Sequence, residues 1–330
     1  MFVTSATDSV LAPPPPRVLG RDDALLALVG WLKDREYRFI SPTPATHRRV
    51  IERDPTRPAR DLRDVFGWNR PFATDLLPDE LMKVLAAADA VEPVDDGRLR
   101  ARYRVASVVD ELFLHSSYPT SADEAVFLGP DSYRFAAFVT DELERRPPAA
   151  GATLVDIGTG TGVGAIAASK AARLGRLLLT DINPQALDLA RVNARAAGIE
   201  ATCLLGAGLD PVNEPVDLVI ANPPYMIDAE SRSYRDGGDM HGARITIDMA
   251  TAAMERLAPA GRLCLYSGSA IMGGEDHLQQ TLRILAARHG FAMRYRELDP
   301  DVFGEELETE AYREVDRIAV IGAVLERHSD

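Results

Sequence analysis

The apolar run VDLVIA is followed by Asn222, Pro223, Pro224 and Tyr225. Neither proline carries a backbone N–H, so a parallel strand stops here. An amide oxygen on Asn222 and the carbonyl of Pro223, held rigid by the ring residues, can accept both hydrogens of an –NH2 group. Tyr225 adds a flat ring that could stack on a planar substrate. The set reads as a clamp that fixes the lone-pair direction of a weakly basic nitrogen.

Two further motifs precede it. In LVDIGTGTGVGAIA, Asp156 comes just before Gly158, Gly160 and Gly162, at a predicted strand-to-helix turn. Glycines there allow a tight turn and close approach of backbone to a ligand. A pyrophosphate on the helix N-terminus would be repelled by the carboxylate, which disfavours a nicotinamide dinucleotide; Asp156 suits a ligand with a positive amine. Asp181 ends the next predicted strand, 19 residues after Gly162, where an acid reaches both hydroxyls of a ribose.

These residues need strand ends lined up along one rim. From about residue 106 the pattern alternates strand and helix at the rhythm of a parallel α/β sheet. ATLVDIG, RLLLTDI, EATCLLG, VDLVIAN, GRLCLYSG, FAMRYREL and RIAVIGAVLE read as about seven strands in a doubly wound sheet. GVGAIAASKAARLG reads as a helix closed by Gly175. NPQALDLARVNARAAG reads as a helix capped by Asn183 and ended by Gly198. Before this region, residues 22–37 predict a helix with Leu25, Leu26, Leu28, Val29, Trp31 and Leu32 on one face. Short helices follow, and GRLRARYRVASVVDELFLHS suggests a β-ribbon. The expected organisation is a flexible Pro-rich leader (1–20), an accessory, substrate-selecting domain of helices plus a ribbon (21–120) and a catalytic domain (121–330).

The three motifs in this order resemble class I S-adenosylmethionine-dependent methyltransferases of the amino-methylating, NPPY branch, and in particular the release-factor glutamine methyltransferases, over residues 120–325. The resemblance implies a Rossmann-like methyltransferase sheet, with a smaller, mainly helical N-terminal domain. It implies S-adenosyl-L-methionine as cofactor. Asp156 would lie near its methionine end, Gly158, Thr159 and Gly160 would form the backbone cradle with Gly162, Asp181 would bind the ribose, and Ile182 would flank the adenine. Asn222 and the Pro223 carbonyl would hold the target nitrogen, with Tyr225 packed on it. FLGPDSYRF (127–135) would run beside the cofactor, and YRDGGDMHG (234–242) would close over substrate, with Gly237 and Gly238 letting the lid move. In LLGAGLDPV the sequence departs from relatives: Ala207 stands where an acid on the adenine amine is expected, and Asp210 is too far along to replace it.

The net charge of −13 is uneven. Residues 1–105 hold 17 Lys and Arg against 16 Asp and Glu, and residues 106–330 hold 20 against 34. Such an acidic body repels phosphate backbones and favours a neutral or cationic substrate. Interleaved acids make the arginines at 48–63 an ordinary solvated face. Cys203 and Cys264 sit in apolar runs and read as buried thiols of a cytoplasmic protein, with no metal site. No stretch is long enough for a membrane span or signal peptide. His115 and His241 read as structural or exposed, and Glu305, Glu306 and Glu308 as a solvated loop.

The reading is thus an N-methyltransferase acting on an amide, guanidino or amine nitrogen of a protein glutamine or small metabolite. An RNA or DNA adenine methyltransferase is the alternative, since the same clamp serves exocyclic amines. A non-catalytic binding module that keeps the fold is a further one.

Overall fold

The computed structural model describes residues 19–94, 97–120, 122, 124–227 and 235–327. The tetraproline at 13–16 lies outside them. Helix α1 (Arg21–Lys33) buries Ala24, Leu25, Leu28, Val29 and Leu32, with acids in its first turn and Lys33 in its last, as the helix dipole favours. It ends earlier than the sequence pattern predicts, because Glu36 turns the chain at φ 52°. Helices α2 (Pro44–Glu52) and α3 (Leu62–Phe66) start on side-chain caps from Thr43 and Asp61. Helix α4 (Asp79–Ala87) follows Pro78. Strands β1 (Val91–Pro93) and β2 (Leu99–Ala101) pair antiparallel. The expected ribbon is formed by β3 (Tyr103–Val108) and β4 (Glu111–Ser116). Val109 and Asp110, both at positive φ, make its two-residue turn, the backbone that matches strand twist.

After α5 (Pro130–Arg145) come β5 (Ala152–Ile157), α6 (Val163–Ala171), β6 (Leu174–Asp181), α7 (Pro184–Ala196), β7 (Thr202–Leu205), β8 (Val216–Ala221), α8 (Arg244–Arg256), β9 (Leu257–Met272), the two-residue β10 (Glu275–Asp276), α9 (His277–His289), β11 (Phe291–Asp299) and β12 (Arg317–Arg327). The sheet order is β7-β6-β5-β8-β9-β12-β11, with β10 hooked onto β9. Strands β7 to β9 in this order are parallel, and β12 runs antiparallel to both its neighbours. The doubly wound sheet of seven main strands is therefore present. The chain reverses its strand order at β5, so the crevice between the carboxyl ends of β5 and β8 is where ligands collect in such sheets.

One core packs α5, α6 and part of α7 on one face of the sheet. A second packs α8 and α9 on the other. The N-terminal elements share a third core with α7, through Ala186, Leu189 and Val192. Ala106, Val108 and Phe113 of the ribbon reach into the first core. Glu111 joins the layers with ion pairs to Lys33 (2.5 Å) and Lys170.

Gly175 does not close α6. The helix stops at Ala171, and Gly175 lies inside β6, where a Cβ would come within 2.7 Å of the Gly151 carbonyl carbon. Close backbone approach, not helix termination, explains that glycine. Asn183 and Gly198 end α7 as expected: the Asn183 side chain accepts from the Gln185 N–H, and Gly198 has φ 71°. Among the described residues no helix is long and apolar enough to cross a membrane.

Gly164 is the contact point of α6 with α5: a Cβ there would lie 2.9 Å from Phe135 Cζ and 3.1 Å from Ile220 Cδ1. Alanine gains about 1 kcal/mol in helix propensity, but overpacking costs about 1–3 kcal/mol. Gly164→Ala is therefore expected to lower unfolding free energy in urea; a stabilised variant would disprove the packing role.

Candidate functional site

Strand register lines the candidate residues up. Asp181 pairs with Leu205, Ile157 with Thr180 and Ala221, and Ala221 with Leu265. One step further along the strands, Leu205, Asp181, Gly158, Asn222 and Tyr266 form a row across the carboxyl rim. At one strand spacing each, Asp181 and Asn222 stand about 10 Å apart with the glycine loop between them. Clefts of about 510 Å³ and 390 Å³ open elsewhere, at the amino ends of β8 and β9 and of β6. Neither touches the row.

The glycine loop is tied down by two carboxylates. Asp156 is buried, and its Oδ2 accepts from the Thr159 hydroxyl (2.8 Å) and the Ala165 N–H (3.0 Å). Burial pushes its carboxyl up to about 7, against those two hydrogen bonds, and the nearby Asp181 charge adds to the rise. Asp181 Oδ2 accepts from the Gly160 N–H and Oδ1 from the Asn183 N–H, both at 2.9 Å. Burial raises the Asp181 carboxyl too, and the backbone donors counter it. Gly158, Gly160 and Gly162 have φ of 64°, 55° and 81°, a region that costs other residues strain. A Cβ on Gly158 or Gly160 would meet nothing within 4 Å, so both face open space. A Cβ on Gly162 would instead rest 3.4 Å from Ala190 on α7.

This cradle fits S-adenosylmethionine on the chain's own terms. A carboxylate offers about four acceptor sites, so Asp181 keeps acceptor capacity for a ribose after its backbone bonds. Ile182, just past the end of β6, is 60% exposed, and Leu205, paired with Asp181 at the end of β7, is 61% exposed; each offers apolar surface to a flat base. Ala207 is exposed and brings no acid. Asp210 lines the 510 Å³ cleft with residues 212–215, on the way to the opposite rim, and does not stand in for it. The segment 124–128 is clipped alongside by Asn183 Nδ2, which donates to the Glu124 carbonyl (3.0 Å).

At the other side of the loop, neither the Asn222 amide nor the Pro223 carbonyl has a hydrogen-bond partner among the described residues. Asn222 is half-buried and Pro223 is buried. Tyr225 differs from the open stacking platform that the sequence suggests. Its side chain is only 8% exposed and packs within the core, tilted 60° against Phe303 at 6.2 Å. The cause is Gly268 on β9: a Cβ there would lie 2.5 Å from Tyr225 Cε2, so the missing side chain lets the ring lie against the strand. Burial and the neighbouring Asp131 carboxylate push the Tyr225 phenol well above its usual range. Asp131 itself accepts from the Tyr266 hydroxyl (2.8 Å). Sequence reasoning missed both residues. A glycine inside a strand pattern, in YSGS, was the available signal.

The lid segment is also less free than two adjacent glycines suggest. Gly237 donates to the Met226 carbonyl (2.7 Å), and a Cβ on it would lie 2.8 Å from Tyr225 Cα. Gly237 and Gly242 thus serve close packing onto the clamp's backbone. Tyr234 lies outside the described residues. Glu306 pairs with Arg235, and Glu305 and Glu308 are exposed. His241 lies 6.4 Å from the Tyr312 ring, and His115 is fully buried in the N-terminal core, far along the chain from the rim.

Known proteins similar to this chain include methyltransferases. Residues 136–292 match the family model of the methyltransferase small domain. The release factor glutamine methyltransferase of Deinococcus radiodurans is 28% identical over 251 residues, 74% of this chain and 86% of that protein. Its namesake from Enterococcus faecalis is 38% identical over 107 residues, 29% of this chain and 39% of that protein, so the chain spans well under two thirds of that relative's length. The solved structure of a ribosomal protein L11 methylase from Lactobacillus delbrueckii subsp. bulgaricus is similar at 19% identity and a TM-score of 0.42, over 62% of this chain and 84% of that one.

The Asp156 carboxyl gives a pH signature. Its folded-state value lies above its unfolded one, so the protonated form favours folding. Its contribution is complete below about pH 3.8 and is lost as pH rises through about 7. Asp156→Asn should flatten urea stability between these limits and, without added ligand, be the more stable protein at pH 8 by on the order of a few kcal/mol. An unchanged pH slope would refute the assignment.

Proposed function

We propose that this chain, similar to the release factor glutamine methyltransferases, is an S-adenosylmethionine-dependent N-methyltransferase acting on a planar nitrogen. The observation that carries this reading is the pair of acceptors on Asn222 and Pro223, unpartnered among the described residues and one strand away from an open glycine cradle. The cofactor, when bound, supplies a methyl group already activated on a sulfonium. The protein's own task is alignment. Asn222 Oδ1 and the Pro223 carbonyl each accept one N–H of the substrate. They favour positive charge on nitrogen as it develops, because these dipoles are fixed before the reaction. Pro223 and Pro224 keep the acceptors from rotating away. Tyr225, flush with β9, forms the wall behind them and excludes water from that side.

Gly158, Gly160 and Asp181 would hold the nucleoside part of the cofactor, and Asp156 holds the loop that carries them. The amide of a protein glutamine is the acceptor we favour, because it offers two hydrogens in a plane to two acceptors in a plane. A small amide metabolite presents the same group. The acidic body of the chain, −14 over residues 106–330, suits either better than a nucleic-acid base.

Asn222→Ala should lower methyl transfer by about 100-fold or more while cofactor affinity in calorimetry stays within about threefold. Turnover at the parent rate would remove Asn222 from the mechanism. Asp181→Ala should weaken cofactor binding by about tenfold or more; an unaltered dissociation constant would end the ribose assignment. Radioactive methyl labelling of a cell extract, sorted into protein, RNA and small-molecule fractions, tests the acceptor. Label in hydrolysed protein as N-methylglutamine supports the favoured substrate, and label in RNA alone overturns it.

A further inference from the structure

The N-terminal core contains a buried positive charge with no counter-ion among the described residues. Arg104 on β3 is 2% exposed. Its Nε donates to the Ser116 carbonyl (3.2 Å), and its Nη1 faces His47 Nδ1 at 3.3 Å. Among the described residues it forms no ion pair. The phenols of Tyr118, Tyr37 and Tyr133 are near enough to favour its charge against the effect of burial. His115 stands directly opposite on β4, on the same face of the ribbon.

The surrounding polar atoms are also unsatisfied. Both ring nitrogens of His115, His47 Nε2 and the Ser41 hydroxyl are buried without a hydrogen-bond partner. His47 is 1% exposed, His115 fully buried and Ser41 1% exposed. Aromatic rings wall the cluster: Tyr118 stacks on His47 at 4.1 Å, and Trp68 lies 5.4 Å from it. Ser41 is anchored through its N–H to the Tyr133 hydroxyl (2.9 Å). Arg104 stays protonated at neutral pH even though burial lowers it to about 10. His47 and His115 are pushed down by burial and by Arg104, so each is neutral, with one ring N–H to give.

A guanidinium taken out of water without a partner is strongly unfavourable, and buried donors are rarely left unpaired. Here one cation and several donors converge in one aromatic-walled place. We propose that Arg104, His47 and His115 form a closed binding site for a small carboxylate. With Nε given to Ser116, the Nη1 and Nη2 end of the Arg104 guanidinium keeps N–H groups for a carboxylate's two oxygens, and the neutral imidazoles add N–H donors without adding charge. Formate, the smallest carboxylate, is the probe that asks least of such a closely packed place.

Sodium formate, titrated into the full chain at constant ionic strength while imidazole nitrogen signals are followed by NMR, tests the site. A saturable shift of the His47 and His115 signals is expected, together with a rise in Tm. Arg104→Lys should weaken the midpoint by about tenfold. Arg104→Met, its fold checked by retained cofactor binding, should abolish the effect. If that variant does not fold, the lysine variant carries the test. Absence of a saturable shift, a midpoint unchanged in Arg104→Lys, or an equal response to sodium chloride would overturn the carboxylate site.

Discussion

Everything at the rim depends on two carboxylates that bind backbone before they bind any ligand. Asp156 grips Thr159 and Ala165, and Asp181 grips Gly160 and Asn183. Three glycines at positive φ would otherwise leave the turn between β5 and α6 loose, since glycine has the most backbone freedom to lose. Anchoring from both ends makes that loop a fixed surface. Asp181 is thereby both part of the scaffold and part of the proposed cofactor site. Its remaining lone pairs point where the loop, not the side chain's own flexibility, directs them.

The opposite half of the rim is fixed by packing rather than by charge. Gly268 admits the Tyr225 ring against β9, and Gly237 and Gly242 admit the lid backbone against the clamp. The Tyr312 hydroxyl accepts from the Ile227 N–H (2.8 Å) and closes the far end. Asn222 and Pro223 therefore sit in a segment packed closely against β9 and against residues 237–242. In the proposed role, such a held pair of acceptors would suit a planar –NH2 group better than a tetrahedral one.

The order of strands and helices from residue 152 onward was legible from hydrophobic pattern and caps, because β5 to β8 are short, apolar and separated by strong turn residues. The three motifs also fell where the sheet places them, since strand ends are written in the sequence by Asp, Gly and Pro. What escaped were interactions between distant segments. Nothing local marks Asp131 as the partner of Tyr266, 135 residues away. Gly175 looked like a helix end because a helix-forming run precedes it, yet its reason is the backbone of Gly151 across the strand pair. Tyr225 looked like an open platform because its exposure is set by Gly268, a residue on another strand. His115 and Arg104 gave no signal at all: each is ordinary in an alternating ribbon, and only the register brings them face to face.

The N-terminal elements close their core on Ala186, Leu189 and Val192 of α7, the helix that begins just past Asp181. The cover is therefore not an independent attachment strung on a linker. Its footprint is impressed on the same helix whose first turn borders the proposed nucleoside site. Recombination that exchanged this region for another unit would succeed only with a replacement carrying a complementary apolar imprint. Any slippage of that imprint would be transmitted along α7 to the cradle, so that inheritance of a new specificity and retention of cofactor affinity are constrained together.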